Sequence, residues 1–117
     1  LAQASSYFEQ AQNANLLLND QTENAAILYA KAKLDHHLGF DREALDAAEL
    51  SVQIYAAMGD RKAVSMVQIL ISMLHAALHD ANAAREAAEV GLAIARQLGD
   101  ATLERLCSAQ LADVSSP

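Results

Sequence analysis

Four histidines and one cysteine are the side chains of this 117-residue chain with the most chemistry to offer. His75 and His79 stand four apart, a spacing that sets two imidazoles on one helix edge where they could share a metal ion. Asp35 or Asp80 could add an oxygen ligand, and His36-His37 form a second imidazole pair earlier in the chain. No HExxH motif accompanies them and Cys107 is far off in sequence, so the set does not converge on a zinc site and no metal ligand is expected. Cys107 has Arg105 as its one cationic neighbour in sequence and reads as a small buried hydrophobe. Glu43, Asp46 and Glu49, like Glu86 and Glu89, recur at helical spacing and read as a solvated face, because paired catalytic carboxylates need an apolar cleft to separate their pKa values. No Gly-rich phosphate loop or nucleophile elbow is visible. The chain is therefore expected to be neither an enzyme nor a cofactor carrier.

The elements that must position these residues are helical. Ala and Leu dominate, Pro occurs once and Gly four times, which favours helix over strand. A chain of this length is one domain and can bury roughly two thirds of its unfolded surface without a staple. A formal net charge of −7 works against binding a phosphate backbone, so nucleic acid is not an expected partner. One cysteine, no long apolar span and no secretory signal point to a cytoplasmic chain that does not enter a membrane. A start without Met and the closing SSP fit a piece cut from a longer protein.

The segment Val64–Leu78, VSMVQILISMLHAAL, is broken only by Ser65, Gln68, Ser72 and His75. On a helix its apolar arc is far wider than the ~100° stripe of an ordinary surface helix, so it needs neighbours on several sides. Those neighbours recur with a period. Asn19-Asp20, Gly59-Asp60 and Gly99-Asp100 repeat every 40 residues, each a helix stop followed by an N-cap. Six helices are expected: about Leu1–Leu18, Arg42–Met58 and Asn82–Leu98 in one set, and about Gln21–Leu38, Arg61–Leu78 and Ala101–Val114 in the other. Breaks of two to four residues make consecutive helices antiparallel. Ala4, Ala44 and Ala84 coincide at the repeat offset, as do Leu18, Met58 and Leu98, then Ile27, Val67 and Cys107, then Leu34, Leu74 and Val114. Apolar positions shared in this way suit hairpins that bury their faces on one another.

These residues carry a resemblance. The run from Ala77-Leu78-His79-Asp80 through Gly91-Leu92-Ala93-Ile94-Ala95-Arg96 to Leu98-Gly99-Asp100 resembles a tetratricopeptide (TPR) repeat of 40-residue period. Leu38-Gly39, Ala44-Leu45 and Met58-Gly59-Asp60 resemble the copy before it. Departures are plain: Gln68 and Ala88 replace large aromatics, Lys31 falls where leucine is usual, and the proline after the second helix is missing. The resemblance implies an all-α, right-handed superhelical stack of antiparallel hairpins: a half repeat over 1–20, repeats over 21–60 and 61–100, and the first helix of a further repeat over 101–117. It also implies a docking or sensor segment of a larger bacterial signalling or transcription regulator.

In such a stack the first helix of each repeat lines a concave groove. Carried over position by position, the resemblance directs Val67, Ile71, Leu74 and Leu78 to the previous repeat, and Gln68, Ser72 and His75 to their own partner helix. Met66, Ile69, Leu70, Met73, Ala76 and Ala77 are left toward the groove. Ala26, Tyr29, Ala30, Lys33, His36 and His37 occupy the same surface one repeat earlier, with Leu106, Ala109, Gln110 and Asp113 one repeat later. Tyr29, Lys33, His36, Met66, Ile69, Leu70, Met73 and Leu106 are thus the expected partner-binding residues. Four large apolar groups in a row call for a cover worth several kcal/mol, and two methionines suit an adaptable contact. The cover is expected to be an amphipathic helix or peptide of another protein, or else a second copy of the chain in a structural homodimer. Lys33 is the single Lys or Arg in this set, so a carboxylate-clamping mode is not expected.

Overall fold

The computed structural model describes residues 21–115. They form five helices: α1 (Gln21–His37), α2 (Asp41–Met58), α3 (Arg61–Ala77), α4 (Ala81–Leu98) and α5 (Ala101–Ser115). The expected half repeat over 1–20, with its helix Leu1–Leu18 and its Asn19 stop, lies outside the described residues, as does the tail at 116–117.

The punctuation is local chemistry. Gly59 and Gly99 end α2 and α4 in the left-handed region, at φ 75° and 67°, where a side chain would be strained. Asp60, Asp80 and Asp100 then open α3, α4 and α5, each accepting a hydrogen bond at Oδ1 from the backbone N–H three residues on, at 3.0–3.1 Å. The turn between α1 and α2 lacks such a cap: Phe40 precedes Asp41 and its side chain makes no capping bond. His79 takes the left-handed conformation that Gly39 takes one repeat earlier, at φ 64° against 86°. That places His79 in the turn after α3 and not on the helix edge beside His75.

Turns this short fold consecutive helices back on each other, and α3 sits in the middle, touching α1, α2, α4 and α5. Two clusters share it. Val67, Leu70, Ile71 and Leu74 of α3 pack with Ala25, Ala32, Leu45, Ala48 and Tyr55 of α1 and α2. Ile69, on another side of α3, joins Leu92, Leu103 and Cys107 of α4 and α5.

The hairpins close on small residues, and the 40-residue offset is visible in their contacts. In the first hairpin Ser51 Oγ of α2 donates to the carbonyl of Ala25 on α1 at 2.8 Å. In the second, Ser65 Oγ of α3 donates to the carbonyl of Gly91 on α4, also at 2.8 Å. Residues 25 and 65 are equivalent, as are 51 and 91, so the same two positions meet each time with the hydroxyl on opposite partners. Ser72 Oγ bonds the Ala84 carbonyl at 2.6 Å, where the first hairpin has fully buried Ala32 and Ala44. Each hydroxyl thereby satisfies itself inside the core.

The edge of the described residues differs from the pattern. Ile27 and Leu34 are 39% and 57% exposed although their equivalents Val67 and Leu74 are buried, and Val114 is only half-buried. Val67 and Leu74 are covered within the cluster that α1 and α2 form with α3; one repeat earlier, the segment equivalent to α2 is 1–18, outside the described residues.

Gly91 tests the close approach. A Cβ there would meet Cys107 Sγ and the Ser65 carbonyl oxygen at 3.3 Å. Crowding of about 1–3 kcal/mol, set against a helix-propensity gain of about 1 kcal/mol, leaves Gly91→Ala about 1 kcal/mol less stable. Thermal unfolding followed by circular dichroism should show Tm lowered by about 4–8 °C; an unchanged or higher Tm would show that α4 and α5 have room to part.

Candidate functional site

Two reversals of direction between each and the next bring α1, α3 and α5 side by side and parallel, with α3 between the others; α1 and α5 do not touch. The gap between them is a groove of about 610 Å³. All eight residues singled out from the sequence line it: Tyr29, Lys33 and His36 from α1, Met66, Ile69, Leu70 and Met73 from α3, and Leu106 from α5. Ala109, Gln110 and Asp113 complete the α5 wall, whereas Ala26, Ala30, His37, Ala76 and Ala77 do not reach the lining. The lining is layered by the repeat: Tyr29, Ile69 and Ala109 occupy one level, and Lys33, Met73 and Asp113 another.

The four apolar groups of α3 are not equally open. Leu70 is 5% exposed and belongs to the core, so it is floor, and its burial already stabilises the chain alone. Ile69 is half-buried against α4 and α5. Met66 and Met73 are 39% and 38% exposed and Leu106 is 54%. The sequence therefore overstates the uncovered surface. Covering the remaining area of these three is worth about 1 kcal/mol each, and it rests as much on Leu106 of α5 as on α3.

Polar groups edge the floor. The Lys33 ammonium lies 4.4 Å from the centroid of the Tyr29 ring, a cation over a π face. His36 Nδ1 is 2.6 Å from Asp41 Oδ1, which ties the imidazole to the start of α2. Gln110 Nε2 donates to Ser72 Oγ at 3.1 Å, fixing the α5 wall to α3. Burial holds the Tyr29 phenol above its ordinary pKa, with the nearby Tyr55 adding to the effect.

A smaller cleft of about 210 Å³ continues the groove past Met66 and Leu106, lined also by Lys62, Asp100, Thr102 and Leu103. Sequence reading missed it. One helical turn back from Met66 and Leu106 stand Lys62 and Thr102, so stepping four residues along each helix would have found it. At its rim Lys62 Nζ reaches Asp100 Oδ2 at 3.5 Å. Asp100 is held below the usual carboxylate range, first by the Leu103 N–H that it caps and then by Lys62.

The remaining candidates are dispersed. Among the described residues no three His, Cys, Asp or Glu side chains are placed to share a metal ion. Cys107 is fully buried beside Ser65, and that burial pushes its thiol up. No described helix is long and apolar enough to cross a membrane. No protein-family model matches the chain, and no curated protein matches it.

A phenol whose pKa is higher folded than unfolded contributes stability that is intact below the unfolded value near 10 and is lost as pH rises through the folded value. Urea unfolding at stepped pH should therefore show the native chain weakening above about pH 10. Tyr29→Phe should flatten part of that decline. An unaltered alkaline slope in the variant would place the titrating group elsewhere.

Proposed function

We propose that this chain is a TPR-like interaction module, a right-handed stack of hairpins whose groove between α1 and α5 receives a helix or peptide of another protein. The observation that carries this reading is the partial exposure of Met66, Met73 and Leu106 together over the buried Leu70 floor. Scattered exposed apolar side chains are ordinary on a protein surface; a contiguous strip in a concavity with polar walls is the form that helix-in-groove recognition takes. The methionines supply flexible side chains that can repack around a ligand. Equivalent interior contacts forty residues apart, with the capping aspartates Asp60 and Asp100 at matching positions, support the repeat reading and hence the resemblance drawn from sequence. On that reading the chain is a docking or sensor segment of a cytoplasmic bacterial regulator, works without a cofactor and catalyses nothing. Its binding strip, of which Tyr29, Lys33 and His36 form one wall, has no use for nucleic acid or lipid.

Met73 reports on the groove directly. The chain is expected to bind a fluorescent, leucine- and alanine-rich amphipathic peptide of about five helical turns. Met73→Glu should weaken binding more than tenfold, because a bound helix would trap the carboxylate among apolar groups. Helical circular dichroism and Tm should stay nearly unchanged, since Met73 is already in contact with water. Loss of the fold would assign Met73 to the interior. A wild-type chain that binds no peptide and sediments as a dimer would make the strip a seam between copies.

A further inference from the structure

Lys33 and Asp113 lie at equivalent positions, forty residues before and after Met73, and so face each other across the groove at one level. Among the described residues neither makes an ion pair. Lys33 rests over the Tyr29 ring, and among the described residues no carboxylate pairs with it, nor does the Asp113 side chain have an ion pair or hydrogen bond there. Nearby charges are matched differently: Lys31 pairs with Asp35 at 2.6 Å and Lys62 with Asp100. The floor between Lys33 and Asp113 is apolar. One cationic wall and one anionic wall thus flank a hydrophobic strip.

The dimensions favour a single helix as the occupant. With α3 between them, the axes of α1 and α5 are at most two interhelical spacings apart, roughly 16–20 Å, and their own half-widths leave a trough of about 6–8 Å, so a helix would rest its apolar stripe over α3 with one flank against each wall. A helix with its side chains is about 10–12 Å across. A second copy offers a concavity of the same shape, and two concave strips pressed together about a two-fold axis leave both unfilled. Each copy also carries a net charge of −7.

Resting on the binding role proposed above, we infer that the groove selects an amphipathic helix of another protein with an acidic side chain on the flank that meets Lys33 and a basic one on the flank that meets Asp113. Turning such a helix end for end exchanges its flanks, so the two charges also choose the direction in which it lies. Selection by rim charges of this kind sets specificity more than total affinity.

Three fluorescent peptides with the same leucine and alanine stripe test it on the full chain: one with Glu on one flank and Lys on the other, one with Glu on both, and one with Lys on both. Anisotropy titrations at low salt should show the mixed peptide binding the wild type on the order of three- to tenfold more tightly than either uniform peptide, with the margin shrinking as salt rises. Lys33→Glu should move the preference to the all-Lys peptide. Lys33→Glu combined with Asp113→Lys should restore the mixed peptide to within about twofold of its wild-type affinity, since the helix can reverse. A merely structural role for either residue would not give that recovery. Equal binding of all three peptides would overturn the charge selection and leave the apolar groove standing; failure of every peptide to bind would overturn both.

Discussion

Nearly everything in this molecule follows from the width of the apolar surface on α3. A helix with one oily stripe needs one neighbour, but α3 is apolar around most of its circumference and contacts all four other described helices. Val67 and Leu74 are buried in the cluster formed with α1 and α2, and Ile69 reaches the cluster formed with α4 and α5. Four neighbours can surround a central helix only if some of them come very close. The small residues at the hairpin contacts, Ala25 and Ser51 in one and Ser65 and Gly91 in the other, are what let them do so. The groove is the arc of α3 that remains when α1 and α5 have taken their places on either side.

The hydroxyls at those contacts do more than fill space. Buried Ser51, Ser65 and Ser72 each donate to a carbonyl on the facing helix, adding a directional bond to a contact that would otherwise be fixed by shape alone. Because donor and acceptor change places between the hairpins, the repeat is preserved as a pair of close positions and not as a pair of residues. Gln110 extends this network from Ser72 to the groove wall, so the placement of α5 is tied to the polar interior of the second hairpin.

Much of this was legible in the chain because its signals are local. Gly59-Asp60 and Gly99-Asp100 announce helix ends by backbone chemistry that neighbouring elements do not alter, and the five described helices begin and end within a residue or two of their expected bounds. The groove lining was legible because the repeat fixes which face each helix presents: Tyr29 and Ile69 share one register, and Met66 and Leu106 another. What could not be read was degree. Leu70 and Met73 are three residues apart and both large and apolar, yet one is buried and the other half open, a difference set by the neighbouring helices and not by the residues themselves. Likewise Ile27 repeats the pattern of Val67 but stands open, since burial depends on the neighbouring element and not on the residue.

Asp100 links the front of α5 to the rest of the molecule by a single carboxylate, which closes the first turn of that helix and reaches Lys62 at the start of α3. Its proton affinity is depressed, so both attachments are in force above the ordinary carboxylate range and fail together as acidity rises through the lowered value. Helix α5 keeps its other attachments there, through Leu103 and Cys107 in the core and through Gln110, which donates to Ser72. The corner where the smaller cleft meets α3 is thus fastened by charge and answers to acid, whereas the hairpin beneath is closed by uncharged serines and does not.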